Sequence, residues 1–151
     1  MPKVLIAYAT RNGETKNIAE LIAEGVRFTG VEANVLDANA LEAKFLTHPE
    51  DLADYDAYIF GSPTYHGEMM QAMKTLLFLA AQVNLEGKTG GSFGAYGWSG
   101  EAADRIYDTM QNVFRMDMVG SPLKLKSASL QGGLQMAQDY GRAVGQKVSG
   151  K

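Results

Sequence analysis

The sequence predicts an α/β protein: a doubly wound, five-stranded parallel sheet with helices on both faces. Three observations carry that expectation. Strand-like and helix-like patterns alternate along all 151 residues, the order that builds a parallel sheet through helical crossovers. The opening run, Lys3 to Asn17, is an apolar strand that stops at a hydroxyl- and glycine-containing turn and passes at once into a helix. No linker, repeat or low-complexity segment interrupts the pattern, so a single domain over 1–151 is expected.

The elements follow in order. Lys3–Tyr8 is the first strand, and the first helix runs from about Glu14 to Phe28, with Ile18, Leu21, Ile22 and Val26 on one face. Gly30 is a plausible stop. Val31–Leu36 reads as the second strand, and a polar stretch through His48 and Pro49 leads to a short helical turn at Glu50–Ala53. Ala57–Phe60 is the third strand, ending at Gly61-Ser62-Pro63-Thr64-Tyr65-His66-Gly67, and Glu68–Ala81 is an apolar helix. Gly90–Tyr96 is the fourth strand, followed by Gly97-Trp98-Ser99-Gly100 and a helix from Glu101 to about Phe114. The fifth strand lies within Asp117–Leu125, bent or interrupted near Gly120-Ser121-Pro122, where proline removes a ladder donor. The last helix spans roughly Leu130–Val148.

Composition narrows the function. A net charge of −3 argues against nucleic acid, which proteins hold through clustered Lys and Arg. With no cysteine, thiol catalysis, disulfides and thiolate metal sites are excluded, and His48 and His66 alone cannot build a histidine-rich metal centre. The longest apolar run, Leu76 to Ala81, is far short of the roughly 20 residues that span a bilayer. The chain opens on a strand with one lysine rather than a signal peptide, so a cytoplasmic location without membrane attachment is expected.

Ligands of doubly wound sheets bind beyond the carboxyl ends of the strands, where the strand order reverses. Three loops there have unusual composition. In the first, Thr10, Asn12 and Thr15 would line a concavity at a helix N-terminus, and Gly13 lets the backbone bend. Backbone N–H groups and the helix dipole make such a turn suited to phosphate. The loops at 62–67 and 96–101 set Tyr65, His66, Tyr96 and Trp98 beside glycines, which suits a flat ring between exposed aromatics. Phosphate at one end and a planar heterocycle at the other describe a mononucleotide. Plainer roles exist for each residue: Tyr65 or Trp98 in packing, His66 on a surface loop, and Met69, Met70 and Met73 in the core. Gly91 and Gly94 suit close packing at a strand end. Gly87-Lys88-Thr89 imitates the tail of a P-loop, but Gln82 stands where its first glycine belongs.

These loops resemble those of flavodoxins. Thr10-Arg11-Asn12-Gly13-Glu14-Thr15 is similar to the family's phosphate loop, usually Ser/Thr-x-Thr-Gly-x-Thr. Asp54-Tyr55-Asp56 leading into Phe60-Gly61-Ser62-Pro63-Thr64-Tyr65 resembles its third-strand signature. Tyr96-Gly97-Trp98-Ser99-Gly100-Glu101 looks most like the flavodoxin domain of flavodiiron proteins. The resemblance covers essentially the whole chain and suggests the short-chain type. It implies a flavodoxin-like fold, bound FMN, and low-potential single-electron transfer between redox partner proteins, a donor reductase and an acceptor, by a monomer that needs no catalytic acid, base or nucleophile.

Carried over by position, Thr10, Asn12 and Thr15 would hold the phosphate, with backbone N–H groups from Arg11 through Gly13 and Glu14 to Lys16. Ser62, Pro63, Thr64 and Tyr65 would lie along one side of the flavin, with His66 and Gly67 near the ring edge. Tyr96, Gly97, Trp98 and Gly100 would cover the other side, and Gly61 is a candidate for backbone proximity to the reduced ring. Asn12 replaces the usual middle hydroxyl, and Arg11 adds a cation that such loops often lack. Glu14, Glu68, Glu101 and Asp104 are expected either to form an acidic rim that steers a basic partner or to complement helix dipoles. The rival functions are a flavodoxin-like NAD(P)H:quinone oxidoreductase and a flavodoxin domain excised from a flavodiiron protein. A phosphate-accepting receiver domain would need acidic residues where Thr10-Arg11-Asn12 stands.

Overall fold

A computed structural model describes residues 2–11, 13–39, 49–65, 67–96, 100–126 and 132–150. The strands are β1 (Lys3–Tyr8), β2 (Glu32–Asp37), β3 (Ala57–Gly61), β4 (Thr89–Ala95), β5 (Asp117–Met118) and β6 (Leu123–Leu125). The helices are α1 (Glu14–Arg27), α2 (Gln71–Ala80), α3 (Glu101–Asp108) and α4 (Gly133–Ser149), and a 3₁₀ turn covers Pro49–Asp54. The sheet runs β2-β1-β3-β4-β5, and every pairing in it is parallel. This is the expected doubly wound sheet, with its order reversing between β1 and β3.

The fifth position is shared by two strands, as the Gly120-Ser121-Pro122 signal predicts. Met118 pairs with Gly90 and Leu123 with Phe93. Four residues therefore separate β5 from β6 where only Gly91 and Ser92 separate their partners on β4. The excess loops out at Gly120, whose φ is +60°, and Pro122 falls where no ladder donor is needed.

Period-two alternation divides the core between the two faces of the sheet. Val4, Ile6, Ala57, Ile59 and Phe93 pack under α1 and α4 against Ile18, Ile22, Val26, Ala137 and Val144. Leu5, Ala7, Tyr58 and Phe60 point the other way, against Met73, Leu76, Ile106, Met110 and Met116. Central strands covered on both faces read as continuous apolar runs, which is why β1 and β3 are so plain in the sequence.

Three element boundaries differ from expectation by more than one residue. α2 begins at Gln71 rather than Glu68, because Tyr65 and Glu68 close a turn by exchanging two backbone hydrogen bonds of 2.9 Å. α3 passes into a π-helical turn at Thr109–Val113, which the Phe114 N–H closes on the Thr109 carbonyl at 3.1 Å. α4 begins at Gly133, after Gly132 at φ +80°. No described helix is long and apolar enough to cross a membrane.

Candidate ligand site at the carboxyl end of the sheet

The site is assembled where β1, β3 and β4 end. The ladder continues just past the strands: the Ala9 N–H donates to the Gly61 carbonyl at 2.9 Å, and the Ser62 N–H to the Phe93 carbonyl at 3.3 Å. These bonds hold the first loop beside the second. A cavity of about 210 Å³ opens there, lined by Glu14, Pro63, Thr64, Tyr65, Ala95, Tyr96 and Lys126.

The first loop is shaped before any ligand arrives. Thr10 Oγ1 accepts a hydrogen bond from the Gly13 N–H at 2.9 Å, which leaves its own proton free to donate. Gly13 has φ +90°, a conformation that costs an L side chain roughly 1 kcal/mol, and it caps α1 without a side-chain bond to the helix. Thr15 is buried under the loop, and Glu14 reaches the cavity wall. Arg11 is exposed, with its guanidinium 5.1 Å from the Tyr65 ring centre, and so links the first loop to the second. Asn12 lies outside the described residues.

In the second loop the roles divide. Pro63, Thr64 and Tyr65 line the cavity. Ser62 does not: it is fully buried, its hydroxyl accepting from the Met70 N–H and donating to the Pro63 carbonyl, both at 2.9 Å. It braces the loop from beneath. Thr64 has a further role that no local pattern reveals, since its Oγ1 accepts from the Ala102 N–H at 2.9 Å and caps α3 across the loop. Gly67 sits in the turn at φ +75° and does not line the cavity; its carbonyl accepts from Arg105 Nε at 2.9 Å. Gly61 is likewise a packing residue, because a Cβ there would meet the Phe93 ring at 2.3 Å and its carbonyl already serves Ala9.

In the third loop, Tyr96 lines the cavity and its N–H donates to the Leu125 carbonyl at 3.0 Å. Gly100 precedes α3, against the Lys124 side chain. His66, Gly97 and Trp98 lie outside the described residues.

Sequence reasoning missed Ala95 and Lys126. Lys126 follows β6, whose carboxyl end is a neighbour in space of β4 alone; applying the same strand-end rule to the fifth position would have found it. The acidic rim is not realised as such. Glu68 is held between Lys74 and Arg105, each at 3.1 Å, and Asp104 pairs with Lys124 at 2.6 Å.

Comparison with known proteins agrees with this geometry. The family model for flavodoxin matches residues 6–139, most of the chain and all three loops. The chain belongs to the flavodoxin family. A flavodoxin from Clostridium saccharobutylicum is 36% identical over 92 residues, covering 60% of this chain and 54% of its own length. This flavodoxin-family chain thus spans about half of that relative. Among solved structures, a flavodoxin from the domain Archaea superposes with a TM-score of 0.84 at 27% identity, covering 97% of this chain and 99% of the other. A flavodiiron core from Synechocystis gives a TM-score of 0.89 at 26% identity, over 99% of this chain and only 36% of the larger one. Both a free-standing protein and a domain of a larger one therefore share this architecture.

Proposed function

We propose that the chain binds FMN at the carboxyl end of its sheet and carries single electrons between redox partner proteins, as a monomer. The observation that carries this is the cavity between Tyr65 and Tyr96 beside the Thr10–Thr15 turn, at the switch point of a flavodoxin-family sheet. The residues present fit the group. A void of about 210 Å³ is smaller than the roughly 300–1,000 Å³ of a pocket that encloses a drug-sized ligand, so it suits one flat end of a molecule and leaves an edge outside. An exposed edge is what electron exchange with another protein requires.

When bound, FMN would supply the redox chemistry, and the chain supplies position and electrostatics. The Gly13 turn presents the uncapped N–H groups of α1 to the phosphate, with the Thr10 hydroxyl proton and the Thr15 side chain beside them. Tyr65 and Tyr96 offer ring faces to the flavin, and Pro63 and Ala95 keep that wall apolar. Arg11 and Lys126 add positive charge at the mouth. Asn12, His66, Gly97, Trp98 and Gly100 complete the proposed set by position in the family's motifs.

The test is to load the protein with FMN and with riboflavin, then reduce each anaerobically in small steps while recording visible spectra. FMN should bind at least tenfold tighter than riboflavin, and its reduction should resolve into two one-electron steps. Equal affinity for the two would remove the phosphate assignment to Thr10–Thr15. Rapid steady-state NADH oxidation with a quinone would favour the oxidoreductase instead.

A further inference from the structure

Resting on the reading that the Tyr65–Glu68 turn borders the flavin, we infer that Arg105 is a positioning residue: it holds the Gly67 carbonyl on the α3 side and so withholds that acceptor from the flavin ring edge. The turn is closed by two 2.9 Å backbone bonds between Tyr65 and Glu68. Its outward groups are then clamped to two helices. Arg105 Nε donates to the Gly67 carbonyl at 2.9 Å and lies 3.1 Å from Glu68 Oε1, while Lys74 Nζ on α2 holds Glu68 Oε2 at 3.1 Å. Tyr65 lines the cavity, whereas Gly67 and Arg105 do not. The turn therefore offers the cavity its tyrosine and directs the glycine carbonyl to a guanidinium.

A charge-assisted bond is stronger than a neutral one, so this carbonyl is held firmly in place. Gly67, at φ +75° with open space where a Cβ would stand, leaves the peptide room to turn once the arginine is gone. Reduction of a bound flavin would bring a proton to a ring nitrogen with the electron, and a carbonyl free to accept from it would favour uptake of the first electron over the second. Arg105 opposes that preference.

The measurement is the comproportionation constant of the FMN-loaded protein, from stepwise reduction of wild type, Arg105→Ala, Arg105→Lys and Lys74→Met. Arg105 is 56% exposed on its side chain, so these variants should fold. Arg105→Ala should raise the constant about three- to tenfold, the worth of one hydrogen bond. Arg105→Lys, which keeps a cationic donor, should return it to near the wild-type value. Lys74→Met removes an equal charge from Glu68 without touching Gly67 and should leave it within about twofold. An unchanged or lowered constant in Arg105→Ala overturns the inference, and so does an equal rise in Lys74→Met, which would make the effect one of charge alone. In the ligand-free protein, amide exchange at Glu68 should quicken in Arg105→Ala and not in Lys74→Met. Failure of the wild type to hold FMN counts against the proposed function, whereas binding with an unmoved constant counts against Arg105 alone.

Discussion

The two faces of the sheet are packed by different means. On the face of α1 and α4 the two helices meet backbone to backbone. A Cβ on Gly25 would stand 2.0 Å from the Gln138 carbonyl oxygen, and one on Gly141 would stand 2.0 Å from that of Ile22. Under α2 and α3 the contact is made by long, flexible side chains. Above Gly90, for instance, Met118 Sδ, Met110 Cε and Met116 Cε lie where a Cβ would approach to 2.9–3.1 Å. The first face cannot yield without moving a helix, and the second yields by turning a thioether. The proposed site straddles them: the phosphate turn leads into α1 on the rigid face, and the ring loops are tied to α2 and α3 on the adaptable one.

The sharpest way to break the contrast is Gly141→Ala. It should destabilise the fold by about 3 kcal/mol, the upper part of the overpacking range, read as a lowered urea midpoint. A loss below about 1 kcal/mol would show that the helices slide apart cheaply and that the rigid face is not rigid.

Lys88→Met should cost about 2 kcal/mol. Its ammonium, far from acting as a P-loop lysine, binds the carbonyls of Ala53 and Tyr55 at 2.5 and 2.9 Å and pins the 3₁₀ turn to the adaptable face. The same urea titration checks it.

Alkaline pH should strain both faces together. Burial pushes the Tyr58 and Tyr140 phenols above their ordinary value of 10.0, opposed at Tyr140 by the hydrogen bond its oxygen accepts from the Ser92 N–H. The native state therefore favours the neutral phenol. That contribution is intact below pH 10 and is lost as pH rises through the folded-state values, at up to about 1.4 kcal/mol per pH unit for each tyrosine. Tyr58→Phe and Tyr140→Phe should each flatten the decline measured between pH 10 and 12.

Thr64→Val removes the α3 cap while keeping the shape of the cavity wall, and should cost about 1 kcal/mol. If FMN affinity falls more than stability does, Thr64 serves the ligand as well as the helix. Smallest of all, Gly90→Ala should stay within about 1 kcal/mol, because methionine ends can move and alanine restricts the unfolded chain. A loss near that of Gly141→Ala would erase the distinction between the faces.

Strands β1 and β3 were legible because burial on both faces demands unbroken apolar runs, and the broken fifth strand was legible because proline and glycine have few other uses there. The strand-end rule located the loops and, with them, Thr64, Tyr65 and Tyr96 on the cavity wall. Ser62 and Gly61 take packing roles for one reason. Their types fit a ligand loop, yet their surroundings, Met70 and Phe93, come from other elements that the local sequence does not name. Lys126 and Arg105 escaped notice for the same cause, since an exposed cation on a helix or after a strand carries no local signature.

The sequence by itself determined the order of elements, the division of apolar residues between two faces, and the turn chemistry at Gly13 and Gly120, because these follow from steric preference and periodicity over a few residues. Only the tertiary structure decided which carbonyls, hydroxyls and cations meet across the loops. Thr64 caps a helix 38 residues away, Arg105 holds a carbonyl 38 residues back, and Lys88 reaches 35 residues to a turn. Such pairings depend on distances fixed when strands align and helices dock, and a hydrogen bond is lost over less than an ångström of error in either.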